Sequence, residues 1–481
     1  MARVPGFVGG SYVSQSAMMA GEQCINMFPE EVPYGGKVRS ALVPAPGLST
    51  FDNGTIAESP GRGIFAHDER LFTVFGRTFY ELDSAGVATN RGTVAIDENP
   101  ATFDTNGDGG NELMITSGGV GYVLDLGTNV FTTPLASGSN MCGQIDGFLI
   151  SLNVSTSTYR ISDSLDGQTW NGLQIAQRTD ASDPWSAMAV VNGELVLIGN
   201  KTGSIWYNAG LPTFPFAQRP EGTFQAGIAA GFTLARFNGG LAWLGQDEHG
   251  TMRVYFLNGY RPTPISTPGL DWLIQSYRDD VGVSDARGWS YGREGHVFYV
   301  LTFPRSNRTH VYDATTDRWH ERLKWDQDTA DYVAYRPMFH AYCFGRHLVC
   351  DSASNRVYQF SSTTYTDVGG DVLRRARRFP HLSNEHKKMY FPLVELDAER
   401  GVGNTNAPGN APLVALRYSN DGGMTWGASR TRAIGAKGVY GQRIRWEMCG
   451  SGRDRVFELW QSDPVAARWL ECYVQAQAGL H

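Results

Sequence analysis

The sequence predicts an all-β protein: a β-propeller of six or seven blades, with a C-terminal β-sandwich domain and an extended N-terminal arm. Three observations carry this. A strand–turn–strand phrase recurs between Leu71 and Phe360, and its first apolar residues (Leu71, Leu113, Phe148, Leu195, Leu241, Val297 and Leu348) lie 42, 35, 47, 46, 56 and 51 residues apart. The 481 residues include 57 Gly and 12% aromatic side chains, a mixture that favours strands and tight turns over helices. After Gly370 the phrase stops and a different set of alternating strands begins. A period of roughly 40–50 residues of short strands marks a propeller, because one small sheet cannot bury its own faces and a closed ring can.

Residues 1–58 have chain breakers every few positions and no sustained period of either kind, as expected for an arm that lies along a surface or reaches a neighbouring subunit. Residues 59–370 carry the propeller. Short strands around Ile64, Phe103, Ala189, Phe232 and Phe339 precede the hairpins and bring each unit to three or four strands. The stretch PGLDWLIQSYRDDV interrupts this rhythm and predicts a helical insertion near 269–281, with Asp271 at its N-cap and Trp272, Leu273, Ile274 and Tyr277 as apolar residues. In residues 371–481, MYFPLVELDAE, PLVALRYSND, QRIRWEMCG and RVFELWQSD alternate as half-buried strands do, which predicts the sandwich.

The formal charge of −7 is unevenly spread. Residues 371–481 hold 16 Lys/Arg against 11 Asp/Glu, a net +5, which leaves −12 for residues 1–370. An acidic body does not suit tight, sequence-reading nucleic-acid binding; it suits a surface past which DNA slides and equally a plain soluble acidic protein. The six cysteines (Cys24, Cys142, Cys343, Cys350, Cys449 and Cys472) show no zinc-type spacing, so free thiols in a reducing compartment are expected. The N-terminal residues lack the apolar run of a signal sequence, and no stretch reaches the ~18–20 apolar residues of a membrane span. Synthesis in a cytoplasm without membrane anchoring follows as the expectation.

Several motifs carry chemistry elsewhere. SNDGGMTW (Ser419–Trp426) fits the Asp-box of sialidases, and SLDGQTW (Ser164–Trp170) is the same box one residue short. In such a box the Asp caps a tight turn and the Trp packs beneath it, so the turn alone explains both copies. YDATTDRW from Tyr312 resembles the closing phrase of Kelch blades. The loop DTNGDGGNE places Asp104, Asn106, Asp108 and Glu112 at positions 1, 3, 5 and 9 of a calcium-type loop, while Ile115 stands at position 12, where an EF-hand carries Glu. Calcium and a plain surface turn both remain open. The run Arg374, Arg375, Arg377 and Arg378, followed by Phe379, offers phosphate contacts, a solvated face or a subunit contact. For catalysis there is no G-x-S-x-G, HExxH or phosphate loop, and His67, His249, His296 and His320 stand beside no nucleophile in sequence. No catalytic residue, cofactor or metal is assigned, and no enzymatic activity is expected.

The combination resembles a known family, the packaged-DNA stabilisation protein, or tail hub/nozzle, of short-tailed phages. Four stretches carry the resemblance: CINMFPEEVPYGGKVRSALVPAPGL (Cys24–Leu48), the helix-then-strand segment Leu270–Pro304, SNDGGMTWG, and the last strands Gln442–Val465. The resemblance implies a structural virion protein that forms a hexameric ring beneath portal and adaptor, extends the DNA channel, retains the packaged genome and mounts needle, fibre or spike proteins. The expected partners are further copies of the chain, the tail adaptor protein, those appendages, and DNA passing through without sequence-specific binding. Two other readings stay beside it, a sialidase-like glycan-processing propeller and a Kelch-like binding propeller. The host, the blade number, and the need for the adaptor in ring formation stay open.

Overall fold

The computed structural model describes residues 1–479 other than Asp180, Glu248 and Ala467. Six blades are built from consecutive strands. The first runs from Gly61–His67 to Ala88–Thr93, the second from Thr102–Thr105 to Phe131–Leu135, and the third from Met141–Ile145 to Ile175–Gln177. The fourth spans Trp185–Val191 to Phe216–Phe224, the fifth Gly227–Ile228 to Pro262–Pro264, and the sixth Arg287–Arg293 to Arg318–Glu321. A seventh sheet closes the ring. Its strands Pro337–Cys343, Arg346–Asp351 and Val357–Ser361 take a fourth partner, Gly47–Thr50, from the N-terminal segment, with Phe360 opposite Leu48. Gly47 is required there, because a Cβ would lie 1.8 Å from the Thr364 carbonyl oxygen.

Each sheet is a meander held by one tight two-residue turn with positive φ at both positions. These turns are Asp68–Glu69, Gly118–Gly119, Asp146–Gly147, Asn192–Gly193, Asn238–Gly239, Glu294–Gly295 and Phe344–Gly345. That backbone matches the right-handed twist of the flanking strands and favours Asn-Gly and Asp-Gly pairs. The faces between sheets are apolar: Phe72 and Val74 of the first blade pack on Leu113 and Ile115 of the second, and Ile64 and Leu71 pack on Leu348 and Cys350 of the closing sheet.

The N-terminal segment is extended and has no core of its own, as expected, but its strands are woven into both domains. Ala2–Arg3 pairs with Trp469–Ala478, Met27–Glu31 and Ser40–Pro44 form a hairpin at the edge of the sandwich, and Gly47–Thr50 completes the ring. Gly21–Ile25 lies between Arg375–Arg378 and the sixth blade, so one continuous sheet runs from propeller into sandwich. These strands therefore find pairing partners within the same chain, with Met27–Glu31 and Gly47–Thr50 each at the edge of its sheet.

The helix forms at Pro268–Asp280 with two corrections. Its N-cap is Thr267, whose side chain accepts from the Leu270 amide, and Asp271 sits instead in the first turn. Trp272 stays 37% exposed while Leu270 and Ile274 are buried, because Gly269 lets the helix start close against the Val13 carbonyl and that approach fixes the buried face.

The sandwich packs Met389–Ala398, Trp469–Ala478 and Ile444–Glu447 against Arg375–Arg378, Leu413–Ser419 and Asp454–Gln461. Its core includes Phe379, Phe391, Trp446, Phe457 and Trp469, joined by Val4 and Phe7 from the N-terminal segment.

Candidate functional site

The centre of the propeller is crossed by side chains. Asp104, on the inner strand of the second blade, meets Arg236 of the fifth at 3.3 Å, and Arg236 also donates to the Val190 carbonyl of the fourth at 2.7 Å. Arg287 of the sixth blade donates to the carbonyl of Glu98, in the link between the first two. Blades two and five are not neighbours, so the first pair spans the axis. Burial raises the Asp104 carboxyl above its usual range although Arg236 opposes the shift. A polar mouth of about 670 Å³ opens at this pair, rimmed by Gln144, Asp146, Asn192 and Asn238.

The calcium-type loop does not gather its four residues. Asn106 donates to Glu112 Oε2 at 2.7 Å and accepts from the Glu112 amide at 2.9 Å. Glu112 also accepts from the Gly167 amide and from Gln168 Nε2, so its carboxylate anchors the shorter Asp-box turn of the next blade. Asp104 faces Arg236, and Asp108 lies on the surface, within 4.8 Å of His67 and Asp68 measured between ligand-type atoms.

Both Asp-boxes are turns. Asp421 accepts from Ser419 Oγ at 2.6 Å and from the Thr425 amide at 2.9 Å, and these bonds hold its carboxyl down at about 2. Asp166 accepts from the Gln168 and Thr169 amides, and Trp170 Nε1 donates to the Gly167 carbonyl. In the Kelch-like phrase Asp313 accepts from the Thr315 amide, Thr316 Oγ1 and His296 Nδ1, and Trp319 Nε1 donates to the Ile265 carbonyl. The other histidines singled out in the sequence are likewise local. His320 is enclosed beside Phe28 and Phe298, where burial pushes it down to about 3, and the His249 amide caps onto Asp247.

Two members of the arginine run are interior and two are partly exposed. Arg375 is fully buried and donates to the carbonyls of Val465 and Asp463. Arg377, 1% exposed, donates to the carbonyls of Phe7, Gly10, Gly6 and Gln23, which ties the N-terminal segment down. Arg378 pairs with Glu458 at 3.1 Å, and Arg374 lies 3.8 Å from the centre of the Trp325 ring. Neither the solvated face nor the phosphate-contact reading describes Arg375 or Arg377, because alternate residues of a strand between two domains point into the seam. Sequence offered one signal, the alternation Arg375, Ala376, Arg377 within a β segment.

Among the described residues no helix is long and apolar enough to cross a membrane. Comparison with curated proteins returns no match. Among solved structures, similarity is found to a streptogramin B lyase (12% identity over 65% of this chain and 96% of that one, TM-score 0.43). The N-terminal domain of Nup159 is 11% identical (69% and 98% covered, TM-score 0.40), and an exo-β-1,3-galactanase from Phanerochaete chrysosporium is 10% identical (90% and 100% covered, TM-score 0.30). Likeness at this level says nothing of activity. Two family models cover almost the whole chain: "Bacteriophage P22 Gp10, beta-propeller" matches residues 3–365, and "Bacteriophage P22 Gp10, beta-sandwich" matches residues 374–477. With both domains matched in order, the chain belongs to the Bacteriophage P22 Gp10 family and is a structural protein of a phage tail.

Proposed function

We propose that this chain forms the hub or nozzle ring of a short-tailed phage, beneath portal and adaptor, where it extends the DNA channel, retains the packaged genome and mounts needle, fibre or spike proteins. The observation that carries the reading is the family match across both domains, 3–365 and 374–477. The side chains bridging the propeller axis add a geometric condition. A duplex does not pass where Asp104 and Arg236 meet at 3.3 Å, so the DNA path lies between copies of the chain. A heterologous contact repeated by six-fold rotation builds such a path, and the net charge of −7 per copy gives it a field that repels the phosphate backbone. In this reading the chain works as a scaffold and not as an enzyme, and the Asp-box and Kelch-like phrases are turns rather than pieces of a glycan site.

The test is a phage deleted for the gene of this chain. Its heads should package DNA to full density and then lose it, and supplying the chain in trans should restore retention. Heads that hold their genome without the chain would overturn the retention role.

A further inference from the structure

At the seam between propeller and sandwich, three tryptophans and three arginines alternate in one stack. Arg374 sits between Trp325 and Trp460, with its guanidinium carbon 3.8 and 4.7 Å from the two ring centres. Arg417 follows, 5.3 Å from the Trp460 ring centre and 4.6 Å from that of Trp426, and Arg378 lies 5.1 Å from the Trp426 ring centre. Glu458 takes both Arg378 and Arg417. Arg374 differs from these two. Among the described residues no hydrogen bond runs from its guanidinium to a protein acceptor, and its Nε is buried without a partner. Its backbone is fixed, since the Arg374 carbonyl accepts from Asn26 Nδ2 at 2.7 Å. Trp325, Arg374, Arg417 and Arg378 of the stack line a cleft of about 510 Å³, together with Gln23, Glu321, Arg308, Asp331 and Tyr332.

Contact with two indoles restrains the Arg374 guanidinium, whose planar group presents a fork of N–H donors that no protein acceptor among the described residues takes up. A planar two-oxygen acceptor matches that fork, and little side-chain entropy remains to be lost when it binds. The walls decide which anion. Glu321, Asp331 and Glu458 face the same cleft as the guanidinia of Arg308, Arg374, Arg378 and Arg417, so the formal balance of +1 suits one negative charge rather than a chain of phosphates. The indole faces beside Arg374 are covered by guanidinia, which removes the stacking surface that single-stranded nucleic acid uses. A single carboxylate remains the fitting anion. The cleft is also far larger than one carboxylate and has the size of a site for several residues.

We propose that this cleft binds a short polypeptide segment of a partner protein through one Asp or Glu carboxylate seated on Arg374. The inference goes beyond the ring reading and does not rest on it, since the isolated chain carries the whole cleft.

The test uses the full-length protein on sensor surfaces bearing three probes: an amidated hexapeptide with a single central glutamate, the same peptide with glutamine, and a dT12 oligonucleotide. The expected result is saturable binding to the glutamate peptide, at least tenfold weaker binding to the glutamine peptide and to dT12, and a loss of at least tenfold in R374Q. N-acetylglutamate should displace wild-type protein from the peptide while N-acetylglutamine and inorganic phosphate do not, which keeps the test decisive if R374Q folds poorly. Failure to bind the glutamate peptide, equal binding to the glutamine peptide, or an undiminished R374Q that melts like wild type would each overturn the proposal. Preference for dT12 would replace it with a nucleic-acid site.

Discussion

Asp52 accepts hydrogen bonds from the Val357 amide and from Arg356 Nη1, both at 2.9 Å, across 305 and 304 residues of chain. Its side chain is fully buried, and it fixes the N-terminal strand to the closing sheet at the point where the propeller becomes a ring. Replacing Asp52 with Ala leaves a buried amide unpaired and removes an ion pair. The expected loss is about 2–4 kcal/mol, read as a lower urea midpoint with faster amide exchange in Val357–Ser361. A change below about 0.5 kcal/mol would show that the ring closes without this clasp.

Arg377 holds the first 25 residues through four carbonyls. R377A should lower stability by about 3–5 kcal/mol, since it strips four buried acceptors at once. It should also expose residues 1–25 to limited proteolysis before the rest of the chain. R377K should not rescue, because a lysine ammonium lacks the planar fork that reaches Phe7, Gly6 and Gly10 together. Protease resistance in R377A would mean that strand pairing alone holds the segment.

Burial pushes His310 and His320 down to about 3. Their unfolded pKa is higher, so the stability they contribute is present above pH ~6.5 and is lost as pH falls from there toward 3. Burial raises the Asp367 carboxyl to about 6, which gives the opposite sense: its contribution is full below about pH 4 and is lost as pH rises through 6. The stability of D367N relative to wild type should therefore rise between pH 4 and 7, while H320Q should flatten the acid limb. Urea midpoints across pH 4–8 check both, and parallel profiles for wild type and D367N would contradict the assignment.

Calcium should leave the protein unchanged. The carboxylate of Glu112 is committed to Asn106, Gly167 and Gln168, and Asp104 to Arg236. Melting temperatures in millimolar calcium and in chelator should agree, whereas E112A should cost about 1–3 kcal/mol through the uncapped Gly167 turn. A melting temperature that rises with calcium would restore the cation loop.

Much of the ring was legible because its turns and strands are local. Asn192–Gly193, Asn238–Gly239 and Asp146–Gly147 stand at their hairpins, and the recurring apolar residues Leu71, Leu113, Leu195 and Leu241 mark the second strand of their blades. The closing sheet was harder, since its fourth strand, Gly47–Thr50, lies some 300 residues from its partner and only the register Phe360 to Leu48 reveals it. The arginine run misled for a related reason. Arg375 and Arg377 look solvent-facing in a charged string, and only the carbonyls brought to them by residues 6–23 and 463–465 make burial tolerable. The calcium-like spacing failed because Asn106 and Glu112 satisfy each other. The alternating stack of Trp325, Arg374, Trp460, Arg417, Trp426 and Arg378 draws on strands from both domains, and no sequence interval reports it.

The most direct test of the ring reading is the native mass of the purified chain, alone and mixed with the adaptor protein of the same phage. The account predicts six copies, either alone or on the adaptor, with a DNA-sized path between them. A chain that stays monomeric at micromolar concentration and ignores the adaptor would contradict it.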